Sequence, residues 1–359
     1  MKSISALATV QIIAVDLAKE VFQLACADAN FRIVQSLRLK RVDFLKFWNN
    51  LAPVHVVMEA CGSAHHFGRW LTSLGHRVSL LPAQYVRAYV RRNNTDAADC
   101  AAMLEAVRAS DIKIVPVKTQ YQQMIQLMHR TREQWQHDRT ARINLARAML
   151  REFGIAVPLL GAEAGQAVMR AQLANALLDQ NIRALLLQVL EEIEGFEQQV
   201  IQLDRRLQAL SENDSVLVKL ESLPGISWIT ATALRASVGD IRRFKNGRTL
   251  ANWIGFTPKE HSSGSTRSLG RMSKQGDVYL RTMMIQGARS VLAHAIKAAQ
   301  LQKPLDALRS WAVKLRERRG FNKAAVGLAN KMARIVWATW TQGSAFNGNH
   351  SQAQKFAAA

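Results

Sequence analysis

The sequence predicts an α/β domain followed by a mostly helical remainder, and three observations carry that reading. Over roughly the first hundred of the 359 residues, short apolar runs of strand length alternate with stretches of helix length. From Thr119 onward apolar residues recur every three or four positions, with neither Pro nor Gly before Gly154. The formal charge of +21 is concentrated late, since residues 235–334 hold 21 Lys and Arg against 5 Asp and Glu.

In chain order, QIIAVDL is an apolar, β-branched run that reaches a carboxylate at Asp16. VFQLACAD and FRIVQSLRL read as the next two strands, joined by a turn at Asp28-Ala29-Asn30. A helix is expected over residues 41–51, a fourth strand in VHVVMEA, a helix in HHFGRWLTSLG closed by Gly75, and a fifth strand in RVSLLP stopped by Pro82. Consecutive strands followed by alternating strand and helix give a mixed sheet with helices on its faces, the RNase H-like pattern. The stretch from Thr119 reads as one helix of roughly 50 Å at about 1.5 Å per residue. A second long pattern covers residues 181–211, and the two together read as a helical hairpin or coiled-coil arm. Arg130, Arg132, Arg139, Arg142, Arg147 and Arg151 lie on the first of these helices, equally suited to a solvated face and to a nucleic-acid-facing stripe. LESLPGISWITATALRASVGD has the Pro-Gly-Ile turn of a helix-hairpin-helix, in which Gly225 would let the backbone approach a phosphate. The expected organisation is therefore an α/β domain at 1–115, a helical arm at 116–215, a C-terminal domain at 216–340 and a disordered tail at 341–359, polar and poor in apolar residues.

Composition narrows the partners. A chain this cationic suits acidic polymers, because Lys and Arg release counterions from phosphate backbones. No segment reaches the roughly 18–20 consecutive apolar residues of a membrane span, and the N-terminal MKSISALATVQIIAVDLAKE meets an acid too early to read as a signal peptide. Cys26, Cys61 and Cys100 are odd in number and lack CxxC spacing, which points to a reducing cytoplasm and away from a disulfide framework or zinc site. The expected location is the cytoplasm, with no membrane partner.

Against this basic background four acids stand out. Asp16 and Glu59 each end an apolar strand, and Asp96 and Asp99 are three apart in NTDAADCAAMLEAV, on one face if that segment is helical, with Thr95 as N-cap. Converging carboxylates repel unless divalent cations neutralise them, and hard oxygen donors select Mg²⁺ or Mn²⁺. Two such ions about 3.5–4 Å apart clamp the attacking and leaving oxygens of a phosphoryl displacement. Taken singly, each acid reads first as a surface or capping residue.

The wording around the four acids resembles the DEDD transposases of insertion-sequence elements, the family that includes Piv-like DNA invertases and bridge-RNA-guided recombinases, with a RuvC-like N-terminal domain. The family's strand-end Asp with Lys three positions on matches Asp16 and Lys19, and its Glu-x-x-Gly matches Glu59 and Gly62. Its Pro-x-x-hydrophobic-Arg segment matches Pro82 to Arg87, and its Lys-Thr-Asp-x-x-Asp-Ala matches residues 94–100, with Asn94 for Lys and Cys100 for Ala. Its C-terminal motifs match Gly255-Phe256-Thr257-Pro258, Ser263-Gly264-Ser265 and the run from Gly270 to Arg281. The likeness covers about residues 12–110 and 216–295.

The resemblance implies a serine nucleophile at Ser263, directly before Gly264, with Ser262 as its neighbour. Ser265 replaces the second Gly of that loop, so a positive φ there would be strained. Arg267, Arg271, Lys274 and Arg281 around the loop would stabilise charge on a pentacoordinate phosphorus. The resemblance further implies a transposase or site-specific recombinase whose metal site assists Ser263, in cis or across a subunit boundary. DNA would be the substrate, a structured non-coding guide RNA a partner, and a dimer or tetramer the working form. The helical arm and the face bearing Arg87, Arg91 and Arg92 are the candidate RNA surfaces. Two other readings are a metal-dependent junction resolvase that uses the carboxylates alone and a non-catalytic nucleic-acid-binding protein.

Overall fold

A computed structural model describes residues 9–49, 51–90, 95–109, 112–158, 162–175 and 177–348. The chain forms two compact units, Met1–Tyr121 and Gln122–Ala359. The regions 116–215 and 216–340 distinguished in the sequence therefore lie, apart from 116–121, within the second.

The first unit is built on strands β1 (Ile12–Asp16), β2 (Val21–Ala27), β3 (Ile33–Lys40), β4 (His55–Glu59) and β5 (Arg77–Leu81), in the order β3-β2-β1-β4-β5. β1, β2 and β3 pair antiparallel, and β1, β4 and β5 parallel. Helices α1 (Arg41–Phe47), α2 (Ala64–Ser73), α3 (Ala83–Val86) and α4 (Asp96–Ala106) complete it. α1 ends four residues short of its expected end, because the Asn49 N–H closes a turn on the Lys46 carbonyl and Trp48 is spent on the core.

Strand alternation divides the apolar residues between two faces. Ile13, Val15, Phe22, Leu24, Val56 and Met58 meet Phe44 of α1 and Phe67 and Leu71 of α2. There Phe22 and Phe44 stack at 4.2 Å between ring centroids. Ile12, Ala14, Ala25 and Val57 meet Val86 of α3 and Cys100, Met103 and Leu104 of α4 on the opposite face. The parity continues to the strand ends: Asp16 follows Ile12 and Ala14, and Glu59 follows Val57. Both acids thereby leave the sheet on the α4 face.

The second unit opens with α5 (Gln120–Glu152), then α6 (Ala162–Ala171) and α7 (Gln180–Glu212). α5 and α7 run antiparallel. Ile143, Ala146 and Leu150 share an apolar cluster with Leu186, Val189, Leu190 and Ile193, and ion pairs follow the same order: Arg132 with Asp204 at 2.5 Å, Arg139 with Glu197 at 3.4 Å, and Arg142 with Glu192. Three of the six arginines expected on an open face are thus matched to acids of α7.

Helices α8 (Ser215–Glu221), α9 (Trp228–Val238), α10 (Gly247–Ile254), α11 (Val278–Gln300), α12 (Ala307–Arg319) and α13 (Phe321–Gln342) close around one core, with the short ribbon β6 (Pro258–Glu260) and β7 (Leu269–Met272) inserted after α10. His129 of α5 lies buried between Thr232 of α9 and Tyr279 of α11, at 3.0 and 2.9 Å from their hydroxyls. Burial holds it neutral, pushing its pKa down to about 4. Gly225, in the turn between α8 and α9, has φ +85 and abuts α11: a Cβ at Gly287 would lie 2.0 Å from the Gly225 carbonyl oxygen. The close approach that Gly225 permits is therefore to α11. After α13, Phe346 packs on the core and its N–H donates to Ser222 Oγ at 2.7 Å. Residues 349–359 of the expected tail lie outside the described residues. Among the described residues no helix is long and apolar enough to cross a membrane.

The glycine contacts give opposed outcomes for one substitution. Gly287→Ala drives a methyl group into backbone and should destabilise by about 1–3 kcal/mol. Gly195→Ala, in an exposed part of α7 with nothing within 4 Å of the added atom, should stabilise by about 0.4–1 kcal/mol. Denaturant unfolding of both variants beside the wild type measures the pair, and shifts of equal sign would contradict the packing.

Candidate active site

Asp16 and Glu59 are the last residues of neighbouring parallel strands and half-buried on the face covered by α4. Asp96 and Asp99 sit in the first turn of α4, whose N-cap Thr95 accepts from the Ala98 N–H at 3.3 Å. A helix N-terminus favours acids on its own account, but a second contact sets this one over the strand ends. The Cys100 thiol donates to the Gln23 carbonyl at 3.3 Å, and Gln23 is the cross-strand partner of Asp16. Burial pushes that thiol up to about 12, so it stays protonated and acts as a donor from α4 to β2.

The acids feel one another. Burial first, then the charges of Asp96, Asp99 and Glu59, push the Asp16 carboxyl up to about 6, against a lesser opposing effect of the Leu17 N–H. Glu59 is raised as well, by burial and then by Asp99. Among the described residues none of the four is ion-paired to a cation, although the chain carries an excess of 21 positive charges. Nor do any three His, Cys, Asp or Glu of the described residues converge tightly enough to hold an ion as they stand. The four acids share one face and influence one another's ionisation without a paired cation among the described residues. Their donor set fits a hard divalent cation.

Ser263 belongs to the second unit, at the tip of the β6–β7 ribbon. Its N–H donates to the Thr266 carbonyl at 3.2 Å and the Thr266 N–H returns a bond of 3.1 Å, closing a two-residue hairpin over Gly264 and Ser265. Positive φ falls on Gly264 (+56) and not on Ser265, as in a type II′ turn. The strain expected at Ser265 is therefore absent. The two adjacent serines differ: Ser262 Oγ donates to Glu260 Oε1 at 2.7 Å and accepts from the Ser268 N–H at 3.2 Å. Ser263 is exposed, and its hydroxyl has no hydrogen-bond partner among the described residues.

Of the cations expected around this loop, Arg271 and Lys274 are exposed and Arg267 pairs with Glu260 at 3.5 Å. Arg281 departs from expectation. It is 7% exposed, and its guanidinium donates to the carbonyls of Ile254 and Gln275, each at 3.1 Å. It therefore fixes the base of the loop from within. Gly255 (φ +91) and Gly276 (φ +87) press the same segments together, a Cβ at either position falling 2.1 Å from a carbonyl oxygen of the other segment. Lys274 adopts φ +55 between them, an uncommon conformation for a residue with a Cβ. The sequence contained these glycines as motif positions; their pairing and the burial of Arg281 depend on contacts that spacing does not display. Arg87 is exposed in the short turn Arg87–Tyr89, whereas Arg91, Arg92 and Asn94 lie outside the described residues.

Comparison with known proteins bears on this arrangement. A family model described as Transposase IS116/IS110/IS902 family matches residues 218–303, and a DEDD transposase model matches residues 13–155. A probable family 20 transposase of Pseudomonas aeruginosa is 40% identical over 91% of this chain and 95% of its own length. The transposase for insertion sequence element IS1111A of Coxiella burnetii is 34% identical over 93% and 90%, and that for IS1328 of Yersinia enterocolitica 30% identical over 94% and 99%.

The carboxyl shifts predict a pH dependence. Asp16 holds its proton more tightly in the folded chain than at the unfolded value of about 3.9. Its contribution to stability is thus complete below about pH 4 and lost as pH rises through about 6. In chelator, the melting temperature of the wild type relative to Asp16→Asn should fall over that interval, and excess Mn²⁺ should suppress the fall. A difference that stays flat without metal would mean that the acids are not clustered.

Proposed function

The chain belongs to the IS116/IS110/IS902 transposase family, an enzyme family acting on DNA, and on that premise we propose that it cuts and rejoins DNA through Ser263. The observation that carries this reading is the inequality of the two loop serines. Ser262 Oγ is committed to Glu260 and Ser268, whereas the Ser263 hydroxyl is exposed, unbonded among the described residues and presented on a hairpin braced from below.

In the proposed step Ser263 Oγ bonds to the phosphorus of a phosphodiester and gives up its proton. The bond from phosphorus to one deoxyribose oxygen breaks, and that oxygen leaves as a hydroxyl carrying a proton. The phosphoserine ester keeps the bond energy for rejoining, when the hydroxyl of another strand end attacks phosphorus and serine is released. Arg267, Arg271 and Lys274 stabilise the charge that builds on the phosphoryl oxygens, and Arg281 positions the loop. Asp16, Glu59, Asp96 and Asp99 would hold Mg²⁺ or Mn²⁺, which supplies neutralisation and orientation at the reacting oxygens.

The Gly225 N–H donates to no acceptor among the described residues; with the Gly225 Cα packed on α11, this N–H is what supports a phosphate contact of the helix-hairpin-helix kind. The apolar seam and ion pairs of α5 and α7 support a coiled-coil arm, whose exposed Arg130 and Arg151 are one candidate contact for a structured guide RNA and the exposed Arg87 of the first unit a separate one. Guidance by RNA and a dimeric or tetrameric working form follow from the resemblance and from the need to hold two duplexes.

Incubation with element-end DNA and Mg²⁺, followed by denaturing electrophoresis, tests the serine. Ser263→Ala should abolish the covalent protein–DNA adduct and lower strand transfer by roughly 10³-fold or more. Ser262→Ala should retain the adduct with a loss of about tenfold, the order expected for a bond that only shapes the loop. Strand transfer surviving in Ser263→Ala but lost in Asp16→Asn would replace the proposal with a resolvase that cuts with water.

A further inference from the structure

A cavity of about 1040 Å³ lies within the second unit, away from the Ser263 hairpin. Its walls are the first residues of α10, the start of α12, the C-terminal half of α13 and the strap 344–348. Three cations line it, Arg248, Lys331 and Arg334, and among the described residues no acid does; Asp306, beside the lining Gly348, is paired with Arg309. Leu308, Ile335, Trp337 and Phe346 supply an apolar side.

We propose that this cavity binds an unpaired nucleotide of single-stranded DNA, its phosphate on Arg248, Lys331 and Arg334 and its base on the apolar wall at Trp337. Several independent features support it. α10 begins at Gly247, where a Cβ would lie 2.8 Å from Arg334 Cα, so the helix start is set directly on α13. Asn246 caps the third N–H, that of Thr249, at 3.0 Å, and the N–H groups of Gly247 and Arg248, both at the cavity wall, have no acceptor among the described residues. Unpaired N–H groups at a helix start favour an anion. Lys331 is held with Nζ 4.2 Å over the Trp311 ring, and burial together with the neighbouring Arg334 lowers its pKa. Two cations crowded together without an acid repel, as the four carboxylates of the first unit do with the sign reversed, and an anion relieves them. Trp337 is fixed in place, since its indole N–H donates to the Phe244 carbonyl at 2.9 Å. A volume at the top of the usual range of about 300–1,000 Å³ for ligand sites accommodates a nucleotide, and combining cations with an aromatic wall suits a strand whose bases are unstacked.

The test uses the full chain and a fluorescent dT oligomer of about ten nucleotides, within the span of single-strand sites, with a hairpin duplex as comparison. In the variant Arg248→Gln, Lys331→Gln, Arg334→Gln, affinity for the oligomer should fall at least tenfold. The slope of log K against log salt should become shallower by about 2, at about 0.7 for each of three lost contacts, while duplex binding changes less than about twofold. Binding of dT should quench tryptophan fluorescence in the wild type and less so in Trp337→Phe. Should the triple variant melt early, the exposed single change Arg248→Gln retains the test, with a slope change of about 0.7. Unchanged oligomer affinity and slope would overturn the proposal, as would an equal loss for duplex, which would reduce these residues to general field. The readout is binding and not strand transfer, so failure here leaves the Ser263 reading intact, and failure of that reading leaves this one.

Discussion

Repulsion among Asp16, Glu59, Asp96 and Asp99 is the constraint on which the N-terminal unit turns. Parallel pairing of β1 with β4 brings two strand-end acids to one edge, and the α4 start adds two more to the same face. Folding half-buries Asp16 and Glu59 among the other acids, and burial first, then the neighbouring charges, displaces both carboxyls upward. A chain so rich in Lys and Arg could pair each acid with a cation, and among the described residues it pairs none of them. In the proposed reading an external cation would offset that charge, and oxygen donors of this charge select a hard one.

Much of this was legible in the sequence because it depends on local rules. The five strands follow from short β-branched runs bounded by turn residues, and α4 from Thr95 as its N-cap. The common face of Asp16 and Glu59 follows from period-two alternation once Ile12, Ala14 and Val57 are known to be buried on the α4 side. Contacts between distant segments were not legible. Arg281 looks like any other cation of a basic loop until the Ile254 and Gln275 carbonyls are seen around it. Arg132, Arg139 and Arg142 look like an open stripe until α7 supplies Asp204, Glu197 and Glu192. Ser265 looks strained until the turn puts the positive φ one residue earlier, on Gly264. In each case the missing information was a partner far away in sequence or a turn type that composition does not determine.

The C-terminal unit applies the same electrostatic logic with the opposite sign. Its glycines are close-approach positions: Gly225 against Gly287, Gly247 against Arg334, and Gly255 with Gly276 at the foot of the hairpin. These contacts make a rigid base from which an exposed serine projects. They also bring backbone N–H groups and side-chain cations to a single cavity wall. In the proposed readings such a unit would offer phosphate two distinct environments, a reactive one at the hairpin tip and a holding one between α10 and α13.

Direct measurement of metal binding tests the central claim, that the four acids form one divalent-cation site. Titration of the purified chain with Mn²⁺, read by the electron paramagnetic resonance signal of the free ion, should show saturable uptake that is lost in Asp16→Asn and in Asp99→Asn alike, because each removes a donor from the shared ring. Uptake unchanged in a variant with all four acids replaced by their amides would contradict the account.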